Sequence, residues 1–152
     1  MNPVSLSVRA IVIGAHRSKQ LSIHVTRREF PETSDYWDGN WVSATIQIGA
    51  GAFRGEYEAL LRTNELASFR DQLATLHAAL NGSATFETME HWLRVDIQGD
   101  GRGHFLAKCE ARDQPGVGNT LRFELAFDQS ELPPVLAALN EVVRAFPVKG
   151  SQ

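Results

Sequence analysis

Apolar and polar residues alternate through six segments of this chain. Leu21, Ile23 and Val25 interleave with Ser22, His24 and Thr26, and Val42, Ala44, Ile46 and Ile48 with Ser43, Thr45 and Gln47. Phe53, Tyr57, Ala59 and Leu61 interleave with Arg54, Glu56 and Glu58, and Leu93, Val95 and Ile97 with Arg94, Asp96 and Gln98. Phe105, Ala107 and Cys109 interleave with His104, Lys108 and Glu110, and Leu121, Phe123, Leu125 and Phe127 with Arg122, Glu124 and Ala126. A period of two predicts strands with one dry and one wet face. That is the antiparallel signature, because parallel strands are apolar on both sides.

Two segments change to helical spacing. Leu66, Phe69, Leu73, Leu76 and Leu80 predict one helix, with Thr63 as its N-cap and Asn81-Gly82 as its stop. Leu132, Val135, Leu139, Val142 and Phe146 predict a second, closed by Pro147. Asp128 with Glu131 forms its capping box, or Ser130 caps it directly. Pro133 and Pro134 fall in its first turn, where a missing N–H costs little. Glycine-rich "IGAGA", "QGDGRGH" and "DGN" suit tight turns, and "RDQPGVGN" reads as a longer loop.

The two helices carry apolar residues at the same offsets from Leu66 and Leu132. The stretches before them align through Trp41/Trp92, Ile46/Ile97 and Gln47/Gln98, with about 15 extra residues before the second helix. The expectation is an α+β fold in one domain, 1–152. It is built from two related strand–strand–helix units at about 36–82 and 84–147, giving one antiparallel sheet or two abutting ones, both helices on the dry face. Each unit is too small to bury a sheet face alone.

Strand parity sets Trp41 with Ser43, Thr45 and Gln47, and Trp92 with Arg94, Asp96 and Gln98, on the wet face. Tryptophans there either sit under turns at strand starts or form an aromatic patch that anchors a protein interface.

Composition narrows the setting. No apolar run approaches the roughly 20 residues of a membrane span. The N-terminus lacks the charge pattern of a secretory signal. A lone cysteine, Cys109, excludes an internal disulfide and leaves a reducing cytoplasm as the expected location. The net charge of −3 is unevenly spread. Residues 1–28 hold five basic and no acidic side chains, and the other 124 residues hold ten basic and eighteen acidic ones. An acidic body argues against nucleic acid and fits a basic partner.

Catalytic signatures are weak. No two histidines stand at metal-ligand spacing, although His91 and His104 could approach across the glycine hairpin. Cys109 has core-facing parity beside Phe105 and Ala107, as a buried small hydrophobe does. "GDGRGH" has neither the following helix nor the Lys-Ser/Thr of a phosphate loop. Asp96, Asp100 and Asp113 could cluster, but each stands near an arginine and a salt-bridged surface accounts for them. An enzyme is not expected, nor a metal or any other cofactor.

"DYWDGNW", "GEYEALLRTNELASFRDQL", "HWLRVDIQGDGRGH" and "EARDQPGVGNTLRFELAFDQSELP" together resemble the WapI immunity family of small bacterial proteins, from Tyr36 to about Val143. The resemblance leaves the basic first 28 residues outside. It implies a cytoplasmic antidote that binds and neutralises a cognate toxin domain, in the founding case a tRNA-cleaving nuclease. The partner-binding candidates under that reading are Asp35, Tyr36, Trp37, Asp38 and Trp41, with Trp92, Asp96, Asp100 and Glu110 as a second patch. The alternatives are a homo-oligomer paired through the same wet face and a small-molecule binder or enzyme around His91 and His104. A homodimer is compatible with either protein-binding reading; a nucleic-acid or membrane partner is not expected.

Overall fold

The computed structural model describes residues 8–152. Two four-stranded antiparallel sheets are each followed by a helix. The first sheet is a meander of β1 (Ile11–His16), β2 (Lys19–Arg28), β3 (Trp41–Ala50) and β4 (Phe53–Arg62), leading into α1 (Thr63–Ala79). The second is a meander of β5 (Asn81–Glu87), β6 (Leu93–Asp100), β7 (His104–Arg112) and β8 (Thr120–Asp128). A 3-10 turn at Gln129–Glu131 then leads into α2 (Leu132–Ala145). α1 lies against β5 and α2, α2 against β1, and β1 against β8, so both sheets and both helices share one apolar core.

The alternation places the expected residues inside. Leu21, Ile23, Val25, Val42, Ala44, Ile46 and Ile48 are buried from the first sheet, and Leu93, Val95, Ile97, Phe105, Ala107 and Cys109 from the second. Leu66, Phe69, Leu73 and Leu76 of α1 and Leu132, Val135, Leu139 and Val142 of α2 supply the helical faces. Each such large side chain contributes about 1.5–3 kcal/mol by leaving water. Burial pushes the Cys109 thiol up to about 12, which leaves it un-ionised and inert at neutral pH. No helix among the described residues is long and apolar enough to cross a membrane.

Two strands carry no clear period-two signal. β1 is the largely apolar "IVIGAH", and β5 is "NGSATFE", which begins at the Asn81-Gly82 expected to stop the helix. The helix does stop there, at Leu80 in a left-handed conformation (φ 62°), and the next residue already pairs with Asp100. The unit that recurs along the chain is therefore four strands and a helix. The extra residues before the second helix are β8. The alignment of Trp41 with Trp92 sets the third strand of one sheet against the second of the other, because hairpins of equal alternation match in either register.

Helix starts differ in detail. Arg62, not Thr63, is the N-cap of α1, and the Glu65 carboxylate accepts its N–H at 2.8 Å. Asp128 caps the 3-10 turn, accepting from Ser130 N–H at 2.8 Å, while Glu131 accepts from Asp128 N–H at 3.1 Å. Trp92 also departs from its parity. The strand begins at Leu93, and His91, at φ 63°, turns the chain just before it. The indole packs against the core instead of lying on the wet face.

Candidate partner-binding surface

The connection from β2 to β3, Glu29–Asn40, contains "DYWDGN" and is locked from several sides. Locally, Asp35 accepts the main-chain N–H of Asp38 through Oδ1 at 2.8 Å and that of Gly39 through its carbonyl at 3.0 Å. The aspartate that closes the turn is thus Asp35, not the Asp38 of the Asp-Gly-Asn triplet. Asn40 is fully buried. Its amide donates to Tyr36 O at 2.8 Å and Lys149 O at 3.0 Å, and its oxygen accepts Lys149 N–H at 2.8 Å. Lys149 Nζ reaches the carbonyls of Pro31 and Thr33 at 3.0 and 2.9 Å. Arg28 donates to Gly39 O at 2.7 Å and also to Pro147 O.

The centre of this arrangement is Arg62, only 2% exposed at the end of β4. Its guanidinium donates to Tyr36 O at 2.6 Å and Trp37 O at 3.1 Å. It also stands 5.0, 5.2 and 5.6 Å from the ring centroids of Tyr36, Trp37 and Trp41. A planar cation with several forked donors suits this role, since it can bond two carbonyls and stack on rings at once. Trp41 is half-buried against it, and Tyr36 meets Trp37 edge-on at 5.3 Å. Trp37 remains 53% exposed, with exposed Asp35 and Asp38 on either side of it in the chain. Beneath, burial pushes the Glu65 carboxyl up, and its second oxygen accepts Met89 N–H at 2.7 Å, tying α1 to the loop before β6.

The other four candidates do not join this cluster. Trp92 stacks on Tyr57 at 6.2 Å, and the Tyr57 hydroxyl donates to Trp92 O at 2.7 Å, joining the two sheets. Asp96 and Glu110 lie on the outer face of the second sheet, within two rows of charges. Glu87, Arg94, Glu110 and Arg122 are opposite one another in one row, and Thr85, Asp96, Lys108 and Glu124 in the next. Arg94 pairs with Glu87 at 3.1 Å and Asp96 at 2.9 Å, and Arg122 with Glu110 at 3.2 Å. The Arg94 hydrogen bond, helped by Thr85, holds the Asp96 carboxyl below its usual range.

Asp100 closes the β6–β7 hairpin. It accepts the N–H groups of Arg102 at 2.7 Å and His104 at 3.1 Å and faces His104 Nδ1 at 2.9 Å. The two main-chain donors, with His104 adding less, bring its carboxyl down to about 2. His91 and His104 do not approach each other, since they stand at opposite ends of the β6–β7 hairpin. Asp96, Asp100 and Asp113 are likewise spread along it, and Asp113 is engaged with Asn119 at 2.7 and 3.1 Å.

Arg62 had no visible sign in the sequence. It ends an amphipathic strand as one more surface charge would, and the rings around it come from 21 to 26 residues earlier. The one usable signal is that three aromatic residues between 36 and 41 need a partner.

A turn built around Asp-Gly-Asn, an arginine beneath its aromatic residues and sheets running in the order just described are accompanied by a family match across residues 12–147, to the immunity protein WapI-like family. The chain belongs to the WapI-like immunity protein family. Membership assigns it an immunity role, makes a toxin protein the partner class, and places it in a family that is generally non-enzymatic. The match is wider than Tyr36–Val143. It takes in nearly all of β1 and all of β2, so most of the basic N-terminal stretch is part of the WapI-like fold. The chain is also similar to a solved structure described as "Crystal structures of trypanosoma bruciei MRP1/MRP2", with 12% identity, a TM-score of 0.49, and coverage of 90% of this chain and 83% of that one. No curated protein matches the chain.

Proposed function

We propose that this WapI-like chain neutralises a cognate toxin domain by direct binding, with Trp37 as the central anchor and Asp35 and Asp38 beside it. One observation carries the reading. Trp37 is an exposed tryptophan on a loop fixed by the Arg62 fork and the Asn40–Lys149 clasp, so little ordering entropy remains to be lost on binding. Rigid, solvent-facing tryptophans are the residues that most often dominate interface energetics. The toxin class that fits is a nuclease, because the acidic pair Asp35 and Asp38 flanks Trp37 on a body whose 18 acidic side chains outnumber its 15 basic ones. Such a body is drawn to the basic cleft that holds a nucleic-acid substrate.

The test is calorimetric titration with the toxin domain that co-purifies with the tagged chain from its own cells. Trp37→Ala should weaken binding by about 2 kcal/mol or more, roughly 30-fold. Its melting temperature should fall by no more than about 3 °C, because the main-chain bonds to Arg62 remain. Association should slow as salt rises. Unchanged affinity in Trp37→Ala would remove the loop as the anchor, and a salt-independent rate would remove the nuclease-cleft reading.

A further inference from the structure

Three of the four sheet edges are covered. β1 and β8 lie against each other. β5 is closed by α1, where the Gln72 amide accepts Thr85 N–H at 3.0 Å and donates to Thr85 O at 3.2 Å. β4 is the remaining edge, and no strand pairs with its outer side among the described residues. The ladder phase shows which groups are free. Thr63 N–H bonds Asn40 O, whereas Arg62 N–H turns away to Glu65. Alternation then directs the main-chain groups of Phe53, Gly55, Tyr57 and Ala59 toward β3, and those of Arg54, Glu56 and Glu58 outward. Beside this edge Phe53 is 66% exposed, and a crevice of about 400 Å³ opens along Tyr57, Ile48 and Leu121.

We infer that β4 is a self-pairing edge: two copies of this chain join antiparallel through it, about a two-fold axis at Gly55. The charges select that register. Outward groups lie on even-numbered residues, so an even residue must face an even one. Centring on residue 54, 57 or 58 sets Arg54 on Arg54, Glu56 on Glu58, or Glu58 on Glu58, and centring on 56 matches Arg54 with Glu58 but sets Glu56 on Glu56. Centring on Gly55 sets Arg54 opposite the partner's Glu56, and Glu56 opposite the partner's Arg54. The opposing glycines fall at a pair without mutual hydrogen bonds, where main chains approach most closely. On the other face, Phe53 comes opposite the partner's Tyr57, so each exposed ring enters the other copy's crevice. In the single chain Glu56 accepts from Gln47 and Arg54 donates to Arg17 O, both exposed contacts that the pairing can replace. The pairing uses the opposite end of β4 from Arg62 and does not depend on the toxin reading.

Sedimentation equilibrium of the full chain over a concentration series tests this. The wild type should fit a monomer–dimer equilibrium. Arg54→Glu places like charges opposite each other twice and should raise the dissociation constant about tenfold or more. Glu56→Arg should do the same. The double variant Arg54→Glu/Glu56→Arg restores opposite charges and should restore the dimer. All positions are exposed, so matching thermal melts will show that the fold is intact. A wild type that stays monomeric at the highest concentration overturns the inference, as does a double variant no better than the singles. If the wild type is monomeric and Arg54→Glu instead loses toxin binding, the edge serves the toxin and self-pairing is wrong.

Discussion

Replacing Arg62 by methionine keeps the apolar stem and removes the guanidinium with its charge and donors. Two hydrogen bonds from a charged donor contribute about 1.5–3 kcal/mol each, and each ring face about 0.5–1 kcal/mol. Against this stands the several kcal/mol needed to desolvate an ion that has no carboxylate bonded to its guanidinium. Tyr36 O keeps its bond from Asn40, but Trp37 O loses the donor it has in the structure. The net loss is about 3 kcal/mol, which for a chain of 152 residues lowers the melting temperature by about 10 °C. Arg62→Lys should recover only part of the loss, because the shorter lysine lacks the planar guanidinium that stacks on the Tyr36, Trp37 and Trp41 rings while it bonds the two carbonyls. Urea and thermal unfolding followed by circular dichroism measure both variants. A methionine variant melting within about 2 °C of the wild type would show that the desolvation cost cancels the bonds and that Arg62 is not what holds the loop.

Other substitutions test separate parts of the fold. The Asp100 carboxyl, near 2 in the folded chain against about 3.9 when free, stabilises fully above about pH 4 and loses its contribution as pH falls toward 2. The melting-temperature gap between wild type and Asp100→Ala should therefore close over that window, and a gap constant from pH 7 to pH 2 would contradict it. His91 is exposed in a left-handed conformation, so His91→Gly should raise stability by about 1 kcal/mol, read as a higher urea midpoint. Gln72→Leu should cost about 1–2 kcal/mol by leaving Thr85 N–H and O unpaired. It should also increase light scattering on heating, because the β5 edge is then open to other strands.

Half-buried sheets and amphipathic helices announce themselves through short periods, and six of eight strands were legible for that reason. β1 and β5 were not. A strand that is apolar on both faces, or one that starts with Asn-Gly directly after a helix, has no period of two to display. β8 was legible as a strand, but the repeat alignment counted it as extra residues because it set β3 against β6. The "DYWDGN" stretch was legible as a turn, although its bonds run from Asp35 and not from the Asp38-Gly39-Asn40 that suggested it. The cluster it belongs to was not, because Arg62, Asn40 and Lys149 meet across long separations that no local pattern encodes. Trp92 shows the converse: one residue outside the strand, parity no longer governs where a side chain points.

The Asn40–Lys149 clasp spans 109 residues of chain. On the ribosome, the "DYWDGN" loop emerges long before the segment that fastens it. β3, β4 and the whole second sheet can form while the Pro31 and Thr33 carbonyls still lack Lys149 and Arg28 still lacks the Pro147 carbonyl. The loop that carries Trp37 thus gains its full set of bonds only when residues 147–149 have left the exit tunnel, which makes it one of the last parts of the molecule to mature.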